Sequence, residues 1–218
     1  IKIDRRSSDI PYDEHGFAMT ELLPGTYEGG IRNFRCSLKA GSQYSPALYK
    51  DKTVILFFGM GRGYAIDEKD AYNIEELSFY VPEFDKTPYT VHAAEDMEFV
   101  LSVVEMNQWD WEVYNASHAR LPFFRPISNC SVYDRSCKGP KTSSWNVLQG
   151  KQLGRIMIGA VRAVEKKKKK KGHKAVHQWN YCVGNSDFNL TVGDETVGTV
   201  AGDWSFVPAG EDHSLVSE

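Results

Sequence analysis

The sequence lacks the features that would assign it to several specialised classes of protein. Its four cysteines show neither a CxxC spacing nor a paired framework, which is typical of a reduced cytosolic protein. It has no apolar run long enough to span a bilayer. A net charge of −3 provides no general attraction to nucleic acid or acidic membranes. We therefore predict a cytoplasmic protein with no nucleic-acid partner and no membrane partner.

Three local features qualify this prediction. No signal peptide is visible, but the first residue is Ile1 rather than Met, so a processed start is compatible with the sequence. A Cys130–Cys137 disulfide is the minority alternative to four free thiols.

Residues 166–171 are six consecutive lysines. We expect them to form a solvated loop between two strands, because like charges repel. A binding patch for nucleic acid is disfavoured, because no aromatic residues alternate with the lysines.

Short apolar runs separated by Gly, Pro and Asp make up most of the chain. They predict antiparallel strands of a barrel or sandwich, within residues 52–66, 76–84, 97–109, 154–164, 177–184, 187–193, 202–208 and 213–217. The sequence VGDE, residues 192–195, is a hairpin-turn signal. Only residues 67–77 suggest a helical turn.

The composition changes in residues 110–145, which carry Pro-flanked turns and a Ser/Lys/Gly/Pro cluster. Such a stretch is typical of a connector. We predict an N-terminal domain over residues 1–108, a connector over 109–146 and a C-terminal domain over 147–218.

One motif near the end of the chain has a clear geometric meaning. Gly202 is followed by five residues, then Pro208-x-Gly210, then two residues and His213. This spacing predicts a turn into a strand, a tight turn that ends it, and a histidine that opens the next strand. The pattern resembles the second motif of the cupin superfamily, in which an Asn stands where this chain has Ser217.

The first cupin motif is matched in spacing but altered in its residues. When it is anchored on Gly184, its glutamate position holds His177 and its second histidine position holds His173. The first histidine position holds Lys171, and the leading glycine position holds Glu165. The resemblance implies that His173, His177 and His213 hold a divalent transition metal. Three imidazoles suit Mn, Fe, Zn or Ni, and leave positions open for water and substrate.

Other side chains are assigned from their position beside these histidines. Strand alternation places Trp179 and Tyr181 on the His177 face. We predict Tyr181 and Lys171 as catalytic residues and Trp179, Gln178 and Phe206 as substrate-binding residues. Two alternatives stay open: Lys171 is simply the last lysine of the loop, or Gln178 replaces His177 as a ligand because the strand is shifted by one residue.

The N-terminal half fits the same template without the ligands. If Gly59 is aligned with Gly184, the ligand positions hold residues unsuited to a metal: Pro46, Leu48, Lys52 and Tyr89. The resemblance therefore implies an all-β fold of two jelly-roll-type cupin β-barrels, a bicupin. The N-terminal barrel would be degenerate and the C-terminal barrel would bind the metal.

The expected function follows from this resemblance. We predict a metal-dependent cupin enzyme of hydrolase, isomerase or lyase type, acting on a small polar metabolite that is a carboxylate or oxygenated compound. The pattern is similar to the bicupin ureidoglycine aminohydrolases, which use manganese. However, Lys171 stands in place of a glutamate of that family, and His213 in place of its glutamine ligand. The alternatives are an iron-dependent dioxygenase and a non-catalytic small-molecule-binding cupin. No helix-turn-helix pattern accompanies the barrels.

The C-terminal barrel is expected to need one more strand. The chain stops five residues after His213, which is early for a closing strand. A trimmed terminus, or a strand supplied from elsewhere in the chain or by a partner, would explain this. Because cupins commonly dimerise through sheet edges, we predict a homodimer.

Overall fold

The computed structural model of the chain describes residues 1–84, 86–133, 141–164 and 172–217. These residues form nineteen strands, one α-helix (α1, Gln108–Ser117) and a 3-10 helix (Ile127–Asn129). The strands are β1 Lys2–Asp4, β2 Phe17–Glu21, β3 Ile31–Leu38, β4 Gln43–Tyr44, β5 Lys52–Met60, β6 Gly63–Asp67, β7 Ala71–Ile74, β8 Ser78–Val81, β9 Tyr89–Ala93, β10 Met97–Glu105, β11 Phe123–Pro126, β12 Ser131–Val132, β13 Thr142–Leu153, β14 Ile156–Ala163, β15 Gln178–Tyr181, β16 Asp187–Val192, β17 Glu195–Val200, β18 Trp204–Val207 and β19 His213–Ser217. The predicted all-β class is confirmed.

Two compact units divide the chain. The large unit contains residues 9–131 and 146–159, and the small unit contains residues 1–8, 132–145 and 160–218. The units are thus not consecutive along the chain, unlike the three predicted segments (1–108, 109–146 and 147–218). In the described residues the strands form five open sheets, so two closed barrels stay a prediction. Glu165, Lys171 and Cys137 lie outside the described residues.

The large unit is built on two antiparallel sheets. One has six strands in the order β11-β8-β5-β10-β3-β2, and the other has four in the order β4-β9-β6-β7. Phe58 and Phe99 of the first sheet share a buried cluster with Ala65 and Val91 of the second. The two sheets therefore enclose a common apolar core, because each strand presents alternate residues to it.

A second apolar cluster covers the other face of the six-stranded sheet. It joins Ile55 and Val81 of that sheet to Leu148 and Leu153 of β13, with Trp111 of α1 packed against them. Both faces of the sheet are covered. For this reason nearly every residue of β10 is buried, and buried and exposed residues do not alternate along it.

The helix was not predicted, although its start signal is local. Asn107 caps α1: its Oδ1 accepts a hydrogen bond from the Asp110 amide at 2.8 Å, and its own amide donates to Asp110 Oδ2 at 3.0 Å. This reciprocal pair satisfies two amides that a helix start leaves free. The predicted helical turn over 67–77 is wrong, because β7 lies there and pairs with β6.

The small unit contains two three-stranded antiparallel sheets, β1-β18-β15 and β17-β16-β19. The predicted turn at VGDE is confirmed: Val192 pairs with Glu195, and Gly193 has φ +60°. Strand β1, from the start of the chain, pairs with β18. Among the described residues, no helix combines the length and apolar character needed to cross a membrane.

Candidate functional site

The second motif folds as its spacing predicts. Gly202 adopts φ +89° before β18, and Gly210 adopts φ +89° in the turn after it. Both conformations favour glycine, since other residues rarely adopt positive φ. His213 then begins β19 and is only 6% exposed. The motif therefore delivers a buried imidazole at the start of a strand.

Asp203 fixes the turn that precedes β18. Its Oδ2 accepts a hydrogen bond from the Val200 amide at 3.0 Å and an ion-paired hydrogen bond from Arg5 Nη1 at 2.7 Å. The carboxylate is buried while Arg5 is about half exposed. A buried carboxylate needs such partners, so the segment after β1 helps to hold the motif in place.

Two hydrogen bonds join the segment before β15 to the turn between β18 and β19. The Gly210 amide donates to the His173 carbonyl at 2.8 Å. The Gly172 amide donates to Asp212 Oδ1 at 2.7 Å. A Cβ atom on Gly172 would lie 2.4 Å from the Glu211 carbonyl oxygen, so only glycine permits this approach.

These contacts place two of the three predicted histidines side by side. The ring centroids of His173 and His213 are 6.3 Å apart, and the rings are inclined at 50°. His173 is exposed and His213 is buried. We call these two residues the histidine pair.

His177 has a different environment. Its Nδ1 accepts a hydrogen bond from the Ala209 amide at 3.1 Å, and its ring stacks on Phe206 with centroids 5.8 Å apart. A neutral imidazole carries one proton, so an accepting Nδ1 leaves that proton on Nε2. In this arrangement the Nδ1 atom of His177 is engaged with the backbone, and its role as a metal ligand stays a prediction. Its observed contacts hold the turn between β18 and β19.

Four aromatic side chains line one face of the sheet β1-β18-β15. The ring centroids of Trp179 and Phe206 are 5.2 Å apart, and those of Tyr181 and Trp204 are 6.2 Å apart. Directly paired residues of antiparallel strands share a face, and these are the pairs that the register gives. We call these residues the aromatic face. Phe206 and Trp204 are each 5% exposed.

Trp204 is a functional candidate that the sequence analysis missed. Its Nε1 is buried, and it has no hydrogen-bond partner among the described residues. Leaving a buried donor unpaired costs about 1–3 kcal/mol, so an acceptor is expected there. The signal was available: Trp204 lies two residues before Phe206, and strand alternation assigns both to one face.

The remaining predicted residues lie apart from the aromatic face or outside the described residues. Gln178 Nε2 donates to Asn180 Oδ1 at 2.7 Å, and Asn180 Nδ2 donates to Ser205 Oγ at 3.4 Å. By strand alternation these residues occupy the opposite face of β15 and β18. Lys171 is not among the described residues.

Burial, together with the Asp203 carboxylate, raises the pKa of the Cys182 thiol to about 11.

A transition metal can be tested against the histidine pair. A metal–nitrogen bond of about 2.1 Å allows the ring centroids of two imidazoles on one cation to be at most about 6.5 Å apart. The observed 6.3 Å is close to this limit, which applies to rings on opposite sides of the cation. Imidazole nitrogens are ligands for the metals predicted. The described residues contain no group of three His, Cys, Asp or Glu side chains that could hold a metal. The two imidazoles could therefore share one cation only from nearly opposite sides, and the described residues supply no third ligand beside them.

In the large unit, aromatic residues occupy the corresponding interior. Tyr89, which the alignment equates with His213, is 5% exposed and packs edge-on against Tyr80 with centroids 5.4 Å apart. Burial raises the pKa of Tyr89 well above its usual value. Tyr80 donates a hydrogen bond to Asp67 Oδ2 at 2.7 Å. This interior is a packed core.

Comparison with known proteins assigns the fold but not a family. No protein-family model and no curated protein matches the sequence. Among solved structures, a glyoxylate-induced protein of Pseudomonas aeruginosa is similar, with a TM-score of 0.69 and 12% identity, over 96% of this chain and 78% of that one. A formate complex of Lactobacillus farciminis oxalate decarboxylase has a TM-score of 0.68 and 14% identity, over 100% and 82%. Oxalate decarboxylase from Bacillus subtilis at pH 4.6 has a TM-score of 0.67 and 13% identity, over 100% and 72%. These similarities support the cupin fold indicated by the two motifs.

Proposed function

We propose that the chain is a metal-dependent cupin enzyme of hydrolase, isomerase or lyase type that acts on a small carboxylate or oxygenated metabolite. The observation that carries the proposal is the convergence of His173 and His213, one from each cupin motif, with ring centroids 6.3 Å apart. The likeness in fold to a protein crystallised as a formate complex makes formate and oxalate the first ligands to test.

In this proposal the imidazoles of His173 and His213 hold the cation, and His177 does not. A metal held there would supply Lewis acidity towards a ligand oxygen. His177 keeps the turn between β18 and β19 in place through the Ala209 amide. We thus propose two metal ligands, His173 and His213, where the sequence predicted three.

The aromatic face supplies the contacts to the ligand. The unpaired Trp204 Nε1–H donates a hydrogen bond to a ligand oxygen, which removes the cost of burying a free donor. The Tyr181 ring lies beside the Trp204 ring, with centroids 6.2 Å apart, and we assign its hydroxyl the donation of a hydrogen bond to the same ligand. Trp179 and Phe206 exclude water from the same face. The catalytic role of Lys171 stays a prediction.

Metal analysis of three proteins tests the proposal. The parent chain, purified after growth with Mn, Fe, Zn or Ni, is expected to carry bound metal. His213→Ala should lose that metal, since it removes half of the histidine pair. His177→Ala should retain it, because Nδ1 of His177 is engaged with Ala209. Loss of metal in His177→Ala together with its retention in His213→Ala would overturn the assignment.

A non-catalytic small-molecule-binding cupin is the second candidate. The observation in its favour is that no group of three metal-ligating side chains is found among the described residues. It predicts that metal-free protein binds oxalate or formate, seen as a change in tryptophan fluorescence that Trp204→Phe abolishes. Binding that requires added metal would favour the enzyme instead.

A further inference from the structure

A cavity of about 160 Å³ lies in the large unit, on the face of the six-stranded sheet that α1 and β13 cover. Its walls are mainly apolar, and three of the wall residues are buried: Val81, Leu148 and Leu153. Leu121 and Phe123 complete the apolar wall. A pocket with this lining favours the apolar part of a ligand, because it removes that part from water.

Strand register directs a charged side chain to the same place. In the β11–β8 pair, Phe123 lies opposite Val81, and Arg125 lies opposite Phe79. Phe123 and Arg125 are two residues apart and so share a face. Phe124, between them, packs on the opposite side against Tyr72 of the sandwich core. The position of Arg125 is therefore set by a paired strand.

The polar part of the lining consists of Arg120, Arg125 and Gln152. The Arg125 guanidinium carbon is 4.7 Å from the centroid of the Phe123 ring, so the guanidinium lies against the apolar wall. In the part of the chain that the structure describes, neither arginine forms an ion pair with a carboxylate.

Nearby carboxylates on the packed elements have other partners. Asp110 of α1 is paired with Arg155, at 3.0 Å between Oδ2 and Nε. Glu83, which follows β8, is paired with Lys69, also at 3.0 Å. The ionic side chains that line the cavity are thus both cationic.

We propose that this cavity binds a small monocarboxylate of about six carbons in all, held through Arg125 and Arg120. A guanidinium presents parallel N–H donors that match a carboxylate, and the buried leucines and Val81 accommodate the alkyl chain. The cavity is smaller than the roughly 300 Å³ at which drug-sized pockets begin, which restricts the ligand to this size. This site is independent of the histidine pair.

Hexanoate and 1-hexanol form a matched pair of probes, since they share the chain length and differ in charge. Titration of the parent protein should shift the methyl resonances of Val81, Leu121, Leu148 and Leu153 with hexanoate, and 1-hexanol should bind at least ten-fold more weakly. R125Q and R120Q should each lower hexanoate affinity, R125Q by at least ten-fold. R62Q changes an exposed arginine of the same unit that does not line the cavity, and it should bind as the parent does.

Three outcomes would overturn the proposal: equal binding of the acid and the alcohol, unchanged affinity in both lining variants, or shifts confined to the indole signals of Trp179 and Trp204. If R125Q does not fold, R120Q decides, because Arg120 is exposed. Loss of hexanoate affinity in R120Q with native methyl dispersion then supports the site, and unchanged affinity refutes it.

Discussion

The two units have similar strands, but different side chains occupy the positions that the motif alignment equates. In the large unit, Tyr89 stands where the motif alignment places a histidine, and it packs against Tyr80 in a filled core. In the small unit, His213 occupies that motif position and faces His173. A cupin strand pattern is therefore compatible with either a packed core or a polar site.

The largest expected effect tests whether the core of the large unit is filled. Phe99 is fully buried between Tyr44 and Phe58. Phe99→Ala should lower the free energy of unfolding by about 3–5 kcal/mol, because it leaves a cavity. Urea unfolding followed by circular dichroism measures this, with Met60→Ala, an exposed position, as the control. A loss as small as that of the control would show that this interior is not tightly packed.

A buried thiol tests whether the interior of the small unit is also closed to solvent. The pKa of Cys182 is raised by burial to about 11 from an ordinary value of 9.0, so the reactive thiolate should be about 100-fold rarer at pH 8. Alkylation of Cys182 by iodoacetamide, measured by peptide mass spectrometry, should be correspondingly slow in the native protein.

Labelling of Cys182 should become fast in urea, where burial is lost. Since the folded pKa lies above the unfolded value, the thiol favours folding less as pH rises from 9 towards 11. Rapid native labelling at pH 8 would contradict the burial of this side chain.

The contact that brings the histidine pair together is the next target. In Gly172→Ala, the new Cβ would approach the Glu211 carbonyl to 2.4 Å, so the segment that carries His173 must move. We expect at least a ten-fold loss of metal or ligand affinity in a calorimetric titration. Gly184→Ala is the control: its φ of +65° makes alanine strained, but no atom lies within 4 Å of the new Cβ. Equal losses in both variants would indicate general strain rather than displacement of His173.

The smallest effect concerns the other buried polar atom without a partner. Thr53 Oγ1 in β5 and Trp204 Nε1 in β18 both lack a hydrogen bond among the described residues. We assign a ligand only to Trp204, so Thr53→Val should leave binding unchanged. The free energy of unfolding should change by less than about 1 kcal/mol. We expect an increase, because a methyl group replaces an unpaired hydroxyl. A marked loss of stability would reveal a bonding role for Thr53 that the structure does not show.

Local signals in the sequence predicted much of the small unit. The Gly202 turn, β18, the Pro208-x-Gly210 turn and the start of β19 at His213 all follow from residue spacing. So does the hairpin at VGDE. These features depend on residues that are neighbours in the chain, and strand alternation supplies the aromatic face.

Other features depended on contacts between distant residues, or on a signal that was overlooked. The pairing of β1 with β18 joins residues about 200 positions apart, and composition does not reveal it. The hydrogen bond from Ala209 to His177 depends on how a turn folds back, so the spacing of His173 and His177 could not show that their surroundings differ. By contrast, the Asn107–Asp110 capping pair of α1 was visible in the sequence.

The central claim is that His173 and His213, and not His177, form the site of the small unit. Nitrogen-15 imidazole spectra recorded during titration with zinc, a diamagnetic probe, test it most directly. The account predicts that the resonances of His173 and His213 shift together, while those of His177 do not change. Shifts of His177 with no change at His213 would contradict it.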